Sequence, residues 1–162
     1  MTCWHCCAGD VDQPGLDWVP FAALFQQQRL GLAEAERARD AILAAVNKTD
    51  NPIALAIADE HGQPILLLRQ DGAPARMLGR ARAKAYTAAM LGLDTVEFRD
   101  QHVKARQRTL DDWGDPMITT LQGGLTIKVN GQTVGGIAMS GNTTMRDEAL
   151  ARIGLDAMGL PA

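Results

Sequence analysis

At 162 residues and 17.4 kDa the chain suits one folding unit and holds too little apolar material for two. Its 46% hydrophobic and 22% charged content excludes a disordered chain, and no apolar run reaches the roughly 20 residues of a membrane span. A net charge of −3 weighs against general nucleic-acid binding.

Residues 1–28 read as an arm and 29–162 as a single domain. The first ten residues lack a basic segment followed by an apolar one, so no leader is expected and the cytoplasm is the expected compartment. All three cysteines fall in Cys3-Trp4-His5-Cys6-Cys7, so no disulfide can join distant parts of one chain, as suits a reducing compartment. Thiolates and imidazole are ligands for zinc, copper and iron, which makes His5 and Cys6 candidate metal ligands. Adjacent Cys6 and Cys7 would strain a single tetrahedral ion, and the haem-attachment pattern Cys-x-x-Cys-His is absent. The competing reading is an oxidisable terminus without metal. Trp18 to Gln28 is predicted to form a short helix with Phe21 and Phe25 on one face. Aromatic residues so placed pack on the body or on a neighbouring subunit, and a homo-oligomer is expected.

From Leu32, the spacing of Ala35, Ala38, Ile42 and Val46 predicts a helix that ends before Pro52. Ile53 to Ala58 alternates large and small apolar residues, the pattern of a strand covered on both faces, with alanines where a helix comes close. Asp59 to Gly62 is a turn and Pro64 to Arg69 a returning strand. Pro74 to Leu91 is a helix with proline at its start, Gly92 at its stop, and a face of Leu78, Ala81, Ala85, Ala88 and Ala89 suited to a sheet. Thr95 to Asp112 reads as a charged, weakly periodic helix or mobile cover, and Met117 to Leu121 as a short strand. Leu125 to Val129 and Thr133 to Met139 flank Asn130-Gly131, the pair that a type I′ hairpin turn requires. Thr144 and Asp147 stand in capping-box relation before a last helix carrying Leu150, Ile153 and Ala157. The expected fold is α+β: an antiparallel sheet of about five strands covered by helices, in the order α-β-β-α-α-β-β-α.

Several groups could carry chemistry. Arg76, Arg80 and Lys84 are four apart and share one helix face, either a solvated row or a grip for a carboxylate, phosphate or haem propionate. Ser140-Gly141-Asn142-Thr143-Thr144 leads from strand to helix, where free N–H groups serve either ordinary capping or an anion. Gly123-Gly124 and Gly135-Gly136 bracket the second hairpin and imply a bulge, a close helix or a ligand over the strand. His61 sits in a turn; His102, in the charged stretch, is a third candidate metal ligand. No Ser/His/Asp arrangement is present.

Taken together these blocks resemble the GlcG/HbpS family of haem-binding-like proteins. The resemblance is carried by Leu32-Ala33-Glu34-Ala35-Glu36, by Ile53 to Asp59 with Gly62, by Asp71-Gly72-Ala73-Pro74, and by Ala83-Lys84-Ala85-Tyr86-Thr87-Ala88. Gly123-Gly124-Leu125, Val129-Asn130-Gly131, Val134-Gly135-Gly136-Ile137 and Ser140-Gly141 with Asp147-Glu148 complete it. The likeness implies a sandwich around an antiparallel sheet, usually oligomeric. Family members include haem-binding and haem-degrading proteins, the C-terminal domain of PduO-type cobalamin adenosyltransferases, and small proteins of glycolate, diol or aromatic catabolism. Thr126 stands where the family commonly has proline, and Asn142 to Arg146 replace a Gly-rich or Gln-Asp segment.

Two functional readings follow. In one, the chain binds haem or another small anionic metabolite, with Arg76, Arg80, Gly123, Gly124, Ser140 and Gly141 around the ligand and His5, Cys6 or His102 near iron. In the other it is a small catabolic lyase, isomerase or hydrolase acting on an organic acid. There Lys84 is the base, Asp71 or Asp147 orients it, and the Ser140-Gly141 amides hold the developing oxyanion. Neither nucleic acid nor membrane is expected as a partner.

Overall fold

The alternation along Ile53 to Ala58 is resolved by two helical layers. The computed structural model describes residues 28–161. Strand β1 (Ala54–Asp59) lies inside a four-stranded sheet, with neighbours β2 (Pro64–Arg69) and β4 (Gln132–Ser140); β3 (Gly124–Val129) forms the other edge. All pairings are antiparallel, in the order β2-β1-β4-β3. Ile53, Leu55 and Ile57 point into a core shared with helix α1 (Leu32–Ala45) and helix α4 (Thr144–Ala157). Ala54, Ala56 and Ala58 face the other way, onto Ala81 and Ala85 of helix α2 (Ala75–Leu91). One helix layer therefore packs on large residues and the other on small ones.

The small-residue face lets α2 approach the sheet backbone closely. A Cβ on Gly136 would run into the Ala85 carbonyl oxygen and the Ala89 nitrogen, so β4 carries glycine there for want of space. Gly136 thus lies under a helix, whereas a Cβ on Gly135 would meet the Ala58 carbonyl of β1 and the Leu30 side chain. The second hairpin turns as its residues require, with Asn130 at φ 51° and Gly131 at φ 77°. Helix α2 stops at Gly92, whose φ of 64° is the left-handed conformation that ends many helices.

Three expectations are corrected. The described sheet has four strands instead of about five, because Met117 to Leu121 pairs with no strand. Its N–H groups are engaged otherwise: Met117 N–H donates to Asp115 Oδ1, Thr119 N–H to Thr87 Oγ1 and Leu121 N–H to Thr119 Oγ1. The charged stretch after Thr95 is not one α-helix. It is a single turn α3 (Thr95–Glu97), a π-helix (Phe98–Lys104) and, further on, a 3₁₀ turn (Leu110–Trp113). Phe98 is its fully buried apolar anchor, and the remaining side chains offer a regular helix little to pack against. Finally, α4 is capped by Thr143, one residue earlier than Thr144: its Oγ1 accepts from Arg146 N–H at 3.3 Å.

Candidate functional site

The four-residue spacing of Arg76, Arg80 and Lys84 draws a line down one side of α2. Arg76 and Arg80 are exposed, whereas Lys84 is only 3% exposed, so the line runs from solvent into the molecule. It ends where β4 finishes at Ser140 and the chain approaches β3. There Arg80, Lys84, Ser140, Gly141 and Asp147 line one pocket of about 90 Å³, together with Met77, Leu121, Gln122, Asn142 and Thr144.

Lys84 Nζ donates to the Gln122 carbonyl at 3.2 Å and lies 3.6 Å from Asp147 Oδ2. An ammonium has three N–H bonds, and one neutral carbonyl plus one carboxylate at ion-pair distance leave it under-supplied with acceptors. Burial pushes the Lys84 pKa below the usual lysine range, a shift that the Asp147 charge opposes in part. Asp147 is equally buried, and its other oxygen accepts from Asn142 N–H at 3.0 Å. This carboxylate therefore ties the loop after β4 to the lysine. Gly123, at φ 103°, passes beside the pair: a Cβ there would lie 3.2 Å from Lys84 Nζ and 3.5 Å from Asp147 Cβ.

Asn142 adds a second unspent donor. Its Oδ1 accepts from Asn51 N–H at 2.8 Å, which fixes which way the amide points. Its Nδ2 is then buried without a hydrogen-bond partner, a costly condition for an amide in a folded chain. Ser140 Oγ contacts Met77 Sδ at 3.5 Å, a weak acceptor that leaves the hydroxyl available. Arg146 ties the start of α4 to the chain before Asn51, donating to both Asp50 oxygens at 3.0 and 2.7 Å and to the Ala45 carbonyl at 2.9 Å.

The other residues singled out above lie elsewhere. Asp71 is exposed in the turn before α2, and neither it nor Arg76 lines this pocket. Gly124 is buried against the Lys84 carbonyl and exchanges hydrogen bonds with Thr95 Oγ1. His102 lies in an aromatic group, 6.3 Å between ring centroids from both Phe98 and Trp113, and is likewise absent from the pocket lining. His61 is exposed in its turn, beside Glu60 at 3.5 Å. His5, Cys6 and the aromatic arm lie outside the described residues. Asn142, Thr144 and Gln122 are the polar lining residues missing from the ligand set inferred above. Asn142 sat within the loop flagged for anions, but a main-chain carbonyl such as that of Gln122 has no signature in sequence.

The fit to haem can be judged from these residues. Pockets for ligands of drug size run to roughly 300–1,000 Å³, well above the space here. Among the described residues no group of three His, Cys, Asp or Glu side chains is placed to hold a metal. A space of this size does not enclose a macrocycle; a carboxylate is what it can take. No helix among the described residues is long and apolar enough to cross a membrane.

The fold defines a class. Residues 30–156 match the family described as haem degrading protein HbpS-like, and the chain belongs to that family. It is 30% identical over 126 residues to an uncharacterized 15.0 kDa protein of the dhaT-dhaS intergenic region in Citrobacter freundii, covering 77% of this chain and 89% of that one. A double mutant of Streptomyces reticuli HbpS superposes with a TM-score of 0.74 at 30% identity, covering 94% of this chain and 99% of the other. A PduOC:haem complex shares the fold, with a TM-score of 0.74 at 22% identity over 82% of this chain and 97% of that one.

Proposed function

We propose that the chain binds a small organic anion, with the carboxylate seated in the Lys84 corner. The observation that carries this reading is that Asn142, whose buried Nδ2 has no partner, lines the same pocket as the under-supplied Lys84 ammonium. A carboxylate presents about four lone-pair sites and would accept from both at once. Arg80, Lys84 and Asp147 together leave the lining one positive charge in excess, which suits a monoanion. The volume limits the rest of the ligand. An apolar cavity of roughly 150 Å³ takes a benzene, so about 90 Å³ encloses about four heavy atoms of a ligand. A haem propionate shares the carboxylate chemistry, and family members bear haem in their description, yet the macrocycle would have to lie outside the pocket.

Calorimetric titration with acetate, a three-carbon monocarboxylate and haemin separates these sources. Short monocarboxylates should bind the native chain, and Lys84→Met or Asn142→Ala should weaken them about tenfold or more, the scale of a charged hydrogen bond of about 1.5–3 kcal/mol. Equal binding by the native chain and both variants, or haemin binding alone, would overturn the reading.

A further inference from the structure

The corner has a second chemical property that simple anion binding leaves unused. Lys84 is a primary amine that faces pocket space and is held by one neutral acceptor, with a buried carboxylate at 3.6 Å able to take and return a proton. Those are the parts needed to condense an amine with a carbonyl. Asn142, whose buried Nδ2 is unpartnered, and Arg80 line the same small pocket as Lys84, so a carboxylate seated there keeps its adjacent carbon within that space.

We propose that the pocket captures short 2-oxo acids, of two or three carbons, as a reversible imine on Lys84. This rests on the anion-seat reading and names its ligand class. Asp147 accepts one proton from the Lys84 ammonium, and the freed lone pair forms the C–N bond while the carbonyl π pair moves to oxygen. That oxygen takes the proton from Asp147, giving a carbinolamine still protonated on nitrogen, and Asp147 then removes the second amine proton to leave the neutral carbinolamine. The nitrogen lone pair then expels the hydroxyl, which leaves as water with the second amine proton, relayed by Asp147. The third proton stays on nitrogen during the transfer. Protonated amine plus carbonyl thus gives protonated imine plus one water, with no oxidant or reductant. Burial favours the neutral amine that the first bond requires.

Four lysines make the test clean: Lys48, Lys104 and Lys128 are exposed, and Lys84 alone is buried. The native chain is incubated with glyoxylate or pyruvate at neutral pH, reduced with borohydride, and mapped by peptide mass spectrometry. One carboxymethyl group (from glyoxylate) or carboxyethyl group (from pyruvate), located on Lys84 and suppressed by excess acetate, is the expected result. Lys84→Met should lose that adduct while keeping the native far-ultraviolet dichroism. Adduct spread over the exposed lysines, or none at all, overturns the imine, and this holds for the native chain whether or not the variant folds. If acetate binds calorimetrically but no adduct forms on Lys84, the imine falls and the anion seat stands. If neither is seen, both fall.

Discussion

Lys84 and Asp147 reach each other from opposite layers of the sandwich, 3.6 Å apart and each about 3% exposed, around the end of the sheet at Gly123. Helix α2 lies on the alanine face of the sheet and α4 on the other, so this pair joins the two layers where no strand does. Removing one partner leaves a buried charge without its counterpart, which typically costs about 3–5 kcal/mol. Lys84→Met and Asp147→Leu should each destabilise the chain on that scale in chemical denaturation. The double variant should recover much of the loss; additive losses would show that the two side chains do not act as a pair.

The lysine also sets an alkaline signature. Its folded pKa lies below the ordinary 10.5, chiefly through burial. Between the folded value and 10.5 the unfolded chain binds more protons, so this group's contribution to stability rises with pH across that window. The contribution is fully present above 10.5 and is lost as pH falls through the folded value. Denaturation measured from neutral pH upward should show the native chain gaining on Lys84→Met as pH rises. A constant difference would place Lys84 in water.

On the acid side the sign reverses. The Arg146 guanidinium and the Asn47 N–H hold Asp50 down to about 2 from 3.8. Its contribution is present above 3.8 and lost as pH falls through about 2. The stability gap between the native chain and Arg146→Ala should therefore be widest above pH 3.8 and narrow toward pH 2. Because Arg146 holds Asp50, the neighbour of the Asn51 whose N–H fixes the Asn142 amide, the same variant should weaken acetate binding measured by calorimetry.

Gly136 tests the close packing of α2. Gly136→Ala places its methyl against helix backbone at Ala85 and Ala89, which cannot swing aside as a side chain would. A destabilisation of about 1–3 kcal/mol is expected in urea, the usual cost of overpacking. Gly131→Ala meets no atoms and should show only the smaller strain of its positive φ.

Much of the architecture was legible because it rests on local patterns. The large-small alternation of Ile53 to Ala58 marked a strand covered twice, Asn130-Gly131 marked a hairpin, and the alanines of α2 marked its sheet-facing side. The charged stretch after Thr95 was not legible as a π-helix, since one buried phenylalanine sets no period. Met117 to Leu121 looked like a strand because its side chains suit one; its backbone donors are taken by threonine and aspartate oxygens that sequence does not place. At the candidate site, the four-residue spacing of Arg80 and Lys84 and the Ser140-Gly141 corner marked residues that the fold brings to one pocket. What spacing could not show is that Lys84 is buried while Arg76 is not, or that Asn51, 91 positions away, turns the Asn142 amide so that its nitrogen is left unpartnered.

The most direct test is a crystal structure grown or soaked with a short monocarboxylate. Its carboxylate should lie within hydrogen-bond distance of both Lys84 Nζ and Asn142 Nδ2, with the Asn142 oxygen still on Asn51. A carboxylate bound elsewhere while this pocket holds none, or an Asn142 nitrogen already paired within the protein, would contradict the site.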